Sequence, residues 1–320
     1  MHSTRSLNLS VAAATNLVLM VIAIGTESSA DDGVATGDFN QKVADSNPLR
    51  TEQARELDEY IQRIAADRSR FRKLFAPLYA STQEFEQAAE PLRDAFCQAI
   101  GYPPPGKRPA TPATFRQIGQ DRLGTYYRAM IPILPGVHSE GIYIIPKSAR
   151  GKTPLVISMH GGGGSPEVAL FNGGANYNDM VRGAVKRGYV VYAPQHLFRA
   201  EGFPKDIRRR IDDRMRLVGT SITAVEIAKI TCAIDELVKR PEVDPDRIAM
   251  VGLSYGGYYA QVTPAIDKRI KVSVSSCYFG VQEGRYEQDE LSLPSAFRFR
   301  SRMTLFSDAR LVVLICPPAP

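Results

Sequence analysis

The amino-acid sequence predicts an α/β fold: a mostly parallel sheet with helices on both faces and a helical extension ahead of it. Three observations carry this. From Leu155 onward, short apolar runs alternate with helix-like stretches, the rhythm that builds a parallel sheet. Gly252-Leu253-Ser254-Tyr255-Gly256 follows one such run, Ile248 to Val251, and leads into a helix-like stretch. The glycines Gly161 to Gly164 follow another run, Pro154 to Met159, directly after His160.

Taken in order, residues 1–30 read as an export signal. Arg5 makes a short positive start, Val11 to Ile24 is apolar, and Ser28-Ser29-Ala30 offers a small-residue cleavage site. The apolar stretch is interrupted by Thr15 and Asn16 and is short for a membrane span. Residues 31–110 read as a polar leader followed by a helical extension packed on the body of the protein. Leu57, Ile61 and Ile64, then Phe71, Leu74 and Leu78, recur at helical spacing. Pro91 is expected to open a further short helix ending near Gly101, and Pro103 to Gly106 break the chain.

Residues 111–320 form the predicted main domain. Gly124 to Ile133 and Gly141 to Ile145, separated by Pro135-Gly136, suit an antiparallel pair at the sheet edge. A strand over Leu155 to Met159 is followed by a helix near 178–187 and a strand over Tyr189 to Ala193. Next come a long helix from about Thr220 to Lys239 and a turn at Asp244-Pro245-Asp246. The strand Ile248 to Val251, the serine element and a strand over Ile270 to Ser275 complete the alternation. The apolar run Leu311 to Cys316 reads as another core strand, with Asp308 capping a short helix before it.

The composition suits one sizeable globular domain. Of 320 residues, 44% are hydrophobic and 23% charged, with no tryptophan and a formal charge of +6. Arg208-Arg209-Arg210 are interleaved with Asp206, Asp212 and Asp213 and lack aromatic partners, which describes a solvated helix face and argues against nucleic acid. The four cysteines, Cys97, Cys232, Cys277 and Cys316, are scattered without metal-ligand spacing. No metal and no cofactor is expected. Cys232, among apolar helix positions, reads as a buried free thiol.

A serine on a strand–turn–helix bend is held in a strained backbone and needs small neighbours, which makes Ser254 a candidate nucleophile. The N–H of the following residue, Tyr255, and that of Gly161 or Gly162 are candidates to hold a developing oxyanion. Read otherwise, the glycines make a flexible turn, and a phosphate cradle would need a Gly-Lys-Ser/Thr ending that is absent.

These stretches resemble the α/β-hydrolase superfamily, and within it the exported dienelactone-hydrolase-like and acetylxylan-esterase-like proteins. The residues concerned are Pro154 to Gly164 (PLVISMHGGGG), Arg240 to Asp246, Arg247 to Gly257 (RIAMVGLSYGG) and Asp267 to Val272. The resemblance implies a serine esterase working through an acyl-enzyme, with Ser254 as nucleophile and Gly161, Gly162 and Tyr255 around the oxyanion. Small esters or esterified carbohydrates are the implied substrates, after export to the periplasm or beyond. In this fold an Asp or Glu and then a His are expected after the serine.

All four histidines, His2, His138, His160 and His196, precede Ser254. The sequence therefore reads as incomplete at its C-terminus, with the last strands missing, through truncation, a frameshift or a silent relative of the enzyme. His160 and His196 are candidates to line the substrate pocket. Asp289 and Glu290 are an alternative place for the acid, and solvated loop charges otherwise. A non-catalytic binding protein on the same fold and an exported serine peptidase are the other readings. Oligomeric state and disulfide pairing stay open.

Overall fold

Val, Ile and Tyr at alternating positions fill seven strands that pair into a single sheet in this computed structural model, which describes residues 42–67, 69, 81–171, 177, 179–280 and 294–315. The strands are β1 (Thr114–Gln120), β2 (Gly124–Leu134), β3 (Val137–Pro146), β4 (Thr153–Met159), β5 (Val190–Pro194), β6 (Val243–Leu253) and β7 (Ile270–Ser276). Their order is β1-β2-β3-β5-β4-β6-β7. β5, β4, β6 and β7 are mutually parallel, β3 runs against β5, β2 against β3 and β1 against β2. Only β1 and β3 therefore oppose the common direction, and the sheet is mostly parallel, as its sequence rhythm predicts.

Period-2 alternation sends successive side chains to opposite faces, and both faces are covered. Leu155, Ile157 and Met159 of β4, with Val190 and Tyr192 of β5, join one core. Helices α2 (Thr82–Ile100) and α6 (Ile222–Leu237) share that core through Phe96, Ile100, Ile227 and Ile234. Val156, Val191 and Ala193 face the other way, onto Ala169 and Leu170 of α3 (Pro166–Phe171) and Val181 and Val185 of α4 (Met180–Lys186). The remaining helices are α5 (Ile207–Leu217), α7 (Tyr255–Val262) and α8 (Asp308–Val313). Ser221 caps α6 by accepting from the Ala224 N–H at 3.2 Å.

The described residues divide at Glu56 into two units. The first holds a 3₁₀ turn, Val43–Ser46, and the start of helix α1 (Asn47–Ala66). The second, from Leu57, holds the sheet. The extension is helical, as expected, but α1 buries none of its residues, and Leu57, Ile61 and Ile64 stay exposed. Phe71, Leu74 and Leu78 lie outside the described residues, as do residues 1–30 and Cys316.

Four expectations change. Pro91 does not open a helix but sits inside α2, which Ser81 starts by accepting from the Glu84 N–H at 3.1 Å. The hydrogen bond lost at Pro91 is outweighed by the burial of Leu92, Phe96 and Ile100. Asp244-Pro245-Asp246 lies within the bounds of β6 as a register shift against β4, closed by Asp246 N–H donating to Asp244 Oδ1 at 3.0 Å.

The Leu311 run is helical rather than a strand, with Leu311 and Leu314 buried in the main core. Asp308 is not the cap of this helix. Ser307 holds that position, while the buried Asp308 carboxylate pairs with Arg302 and accepts the Gly280 N–H at 3.2 Å. Strand β1 and the short helix α3 carry too weak a pattern in the sequence to be foreseen.

Cys97, Cys232 and Cys277 are free thiols, and Cys232 is half-buried rather than buried. Burial pushes the Cys97 thiol up to about 11, which keeps it protonated and inert at neutral pH.

Breaking the interior Arg302–Asp308 pair leaves a guanidinium in the core without its carboxylate. Asp308→Ala is expected to lower unfolding stability by about 3–5 kcal/mol in urea titration, because a one-sided buried charge is costly.

Candidate active site

The C-terminal ends of the parallel strands collect the chain's chemistry at one edge of the sheet, where open α/β sheets place their ligands. His160 follows β4, His196 follows β5, Ser254 follows β6 and Cys277 follows β7.

Ser254 sits at φ 54°, ψ −113°, a left-handed value that a serine adopts only where its surroundings compel it. The compulsion is steric. A Cβ on Gly252 would lie 2.1 Å from the Gly256 carbonyl oxygen, and one on Gly256 would lie 2.3 Å from that of Met159. With no Cβ at either site, the end of β4, the end of β6 and the start of α7 press together. The Ser254 N–H is fixed by donating to Ser276 O at 2.7 Å. The serine side chain stands exposed on the rim, and its hydroxyl has no hydrogen-bonding side chain among the described residues.

The glycine loop lies against it. A Cβ on Gly161 would fall 3.6 Å from Ser254 Cβ. The loop closes on itself through Gly164 N–H donating to Gly161 O at 3.1 Å. The Gly161 N–H, one of the two candidates in this loop, donates to the Tyr177 hydroxyl at 3.1 Å. Gly162 faces the Phe198 ring, whose atoms would lie 2.7 Å from a Cβ there. The Tyr255 N–H opens α7, where helix geometry supplies no acceptor for it. The Tyr255 ring turns inward and is buried, its hydroxyl 3.0 Å from that of Tyr259.

His160 and His196 do not line an open pocket, since each is only 1% exposed. Their rings stack with centroids 3.7 Å apart. His160 Nδ1–H donates to Gly161 O at 2.8 Å and its Nε2 accepts from the Gln195 amide at 3.2 Å. His196 Nε2–H donates to His160 O at 2.5 Å. The carbonyl partners assign these tautomers, because a carbonyl can only accept. Burial, reinforced by the facing His196, drives the His160 pKa down to about 3. Burial likewise lowers His196 to about 4. Both are neutral braces for the glycine loop at pH 7. Asp289 and Glu290 lie outside the described residues.

Two neighbours are not legible in the sequence. Tyr177 holds the loop from one side and Phe198 from the other. Arg208 stacks its guanidinium on Phe198, 4.2 Å from the ring centroid, and lies 5.1 Å from that of Tyr255. The run Arg208 to Arg210 does lie on a helix, α5, as expected, and Arg210 pairs with Asp206 at 2.9 Å. Among the described residues no cluster of His, Cys, Asp or Glu could hold a metal ion. No single described helix is long and apolar enough to cross a membrane.

The family model of the dienelactone hydrolase family matches residues 140–298. A candidate hydrolase of Bacillus subtilis, YtaP, is 28% identical over 186 residues, which is 54% of this chain and 59% of that protein. The chain thus spans less than two thirds of this curated relative. A candidate acetyl xylan esterase of Bacteroides fragilis has a similar structure, with TM-score 0.63 and 17% identity over 74% of this chain and 67% of its own. A methylesterase is similar at TM-score 0.54 and 20% identity, over 75% of this chain and 51% of its own. At such identities the two structures share the fold.

The histidine pair carries a pH dependence of stability. An unfolded histidine titrates near about 6.5, whereas His160 and His196 in the fold titrate near 3 and 4. Between these values only the unfolded chain takes up protons, so stability is full above about pH 6.5 and falls as pH drops. The thermal midpoint is expected to decline from pH 7 to pH 4, and His196→Phe to flatten that decline in a calorimetric pH series.

Proposed function

We propose that the chain, whose residues 140–298 match the dienelactone hydrolase family model on an α/β-hydrolase-like fold, is a serine-dependent carboxylic-ester hydrolase. The observation that carries the reading is the strained, exposed Ser254 beside the glycine loop. Ser254 Oγ bonds to the ester carbonyl carbon as the carbonyl π pair moves onto oxygen. The oxyanion then collapses, the C–O bond to the alcohol breaks, and the alcohol leaves with a proton. Water attacks the acyl-enzyme, releases the acid and restores the serine.

The proton of Ser254 needs a base. His160 and His196 are buried and held neutral, and neither ring bonds to the Ser254 hydroxyl, so neither serves. With the described residues alone, the proton passes to solvent base at the open rim, and turnover is slower by several powers of ten than with a hydrogen-bonded histidine, roughly 10³-fold or more. This same observation favours a second reading, a binding protein that keeps the pocket without turnover.

The substrate is proposed to be a small ester or an acetylated carbohydrate, which fits the acetyl xylan esterase and methylesterase names of the structural relatives. Export is proposed from the apolar stretch Val11 to Ile24 and the small residues after it.

A fluorophosphonate reports nucleophilicity without requiring turnover. The full chain is expected to form one adduct on Ser254, seen by intact mass, while Ser254→Ala forms none. Turnover of p-nitrophenyl acetate is expected to be slow and to vanish in the same variant. Ligand retention without any adduct would establish the binding-protein reading instead.

A further inference from the structure

Two of the four loop glycines answer to one tyrosine that no motif marks. A Cβ on Gly164 would lie 2.0 Å from the Tyr177 hydroxyl oxygen, so only glycine at 164 lets that hydroxyl in. The Gly161 N–H donates to the same oxygen at 3.1 Å. The Tyr177 side chain is buried, yet its hydroxyl borders the nucleophile's surroundings. The point where a Gly161 Cβ would stand is 3.2 Å from Leu253 O, 3.4 Å from Tyr177 Oη and 3.6 Å from Ser254 Cβ, so the hydroxyl and the serine lie on the same side of the Gly161 backbone.

The direction of the hydrogen bond decides what the hydroxyl can do. Because Tyr177 Oη accepts from the Gly161 amide, its own proton is not used in that bond. The Gly161 amide, meanwhile, is engaged and is not free to hold charge on substrate. An amide donating into a phenol oxygen also polarises the phenol O–H outward, which strengthens it as a donor. At Gly161, one of the two loop residues whose N–H the sequence offers alongside Gly162, the loop thus presents a side-chain O–H instead.

We infer that Tyr177 is the second oxyanion donor, paired with the Tyr255 N–H, and that Gly161 acts on the substrate only through Tyr177. The inference rests on the ester-hydrolase reading of Ser254. As Ser254 Oγ bonds to the carbonyl carbon and the π pair moves to oxygen, the Tyr177 O–H and the Tyr255 N–H donate to that oxygen. No proton leaves Tyr177, and the pair returns to the carbonyl when the alcohol departs.

Tyr177→Phe keeps the ring and removes the donor. Labelling of the full chain by an alkyl fluorophosphonate, resolved into a binding constant and a maximal rate, reads the effect. The maximal rate is expected to fall on the order of 10²-fold with the binding constant unchanged, and the thermal midpoint to drop because the Gly161 N–H loses its acceptor. The thiono analogue separates donor from brace, because sulfur accepts hydrogen bonds poorly. Wild type is expected to prefer the oxo reagent, and Tyr177→Phe to lose most of that preference.

An unchanged oxo-to-thiono ratio, with Ser254 still labelled, overturns the role of Tyr177 and leaves the hydrolase reading standing. Absence of any Ser254 adduct in wild type overturns both. Should Tyr177→Phe not fold, the structure of the wild-type phosphonyl adduct decides. A phosphoryl oxygen within hydrogen-bond distance of Tyr177 Oη, about 3 Å, supports the inference, and an oxygen turned away from it refutes it.

Discussion

The sharp reversal at Ser254 depends on three backbone segments meeting at distances that no Cβ would tolerate. Gly252 and Gly256 make that approach possible, pressing the end of β4 and the end of β6 against the start of α7. The cost is a serine at positive φ, of order 1–3 kcal/mol for such a backbone. It is met by the main core, in which Leu155, Ile157, Ile248 and Met250 are all but fully buried on adjoining strands. At about 1.5–3 kcal/mol for each fully buried side chain, two such residues outweigh the strain. The same packing that forces the bend also places the glycine loop beside the serine, so the candidate nucleophile and its surroundings are one construction.

The histidine pair shows which of two competing effects wins. An imidazole at the mouth of a catalytic sheet could serve as a base, but a base must accept a proton where it sits. Stacking His160 on His196 inside the protein makes a positive charge on either costly, and each ring N–H is committed to a carbonyl. Burial of this depth lowers both pKa values by more than the bonds to backbone carbonyls restore. These residues therefore act as rigid, uncharged struts. His160 fixes the first residue of the loop, and His196 fixes the carbonyl that precedes it.

The alternation of apolar runs and helices in the sequence was enough to read β4 to β7, α6 and α7, because each buries a face whose period is visible locally. Gly252 to Gly256 and Gly161 to Gly164 were legible for the same reason, since tight turns restrict residue type. What stayed hidden depends on contacts distant in sequence. Leu311 to Ile315 looks like a strand by composition, yet it continues the turn begun at Asp308 as helix α8, with Leu311 and Leu314 buried in the main core. Pro91 reads as a helix start, yet the core contacts of Leu92, Phe96 and Ile100 carry α2 through it. Tyr177 and Phe198 sit in polar, glycine-rich or loop sequence without periodicity, so nothing local ties them to the site.

Those two aromatic residues change what the run of glycines means. A flexible turn would explain small residues by freedom of the backbone. Here Gly164 is small because a hydroxyl occupies the place of its side chain, and Gly162 is small because the Phe198 ring does. Phe198 is in turn covered by Arg208 from α5, a helix whose charge pattern suggests only a solvated face. A surface-looking helix thus reaches the glycine loop through one stacked guanidinium and one ring. The loop is held at several points: Tyr177 at Gly161 and Gly164, Phe198 at Gly162, and the His160 ring at the Gly161 carbonyl. An electrostatic site needs that rigidity, because donors stabilise developing charge only to the extent that they are already in place.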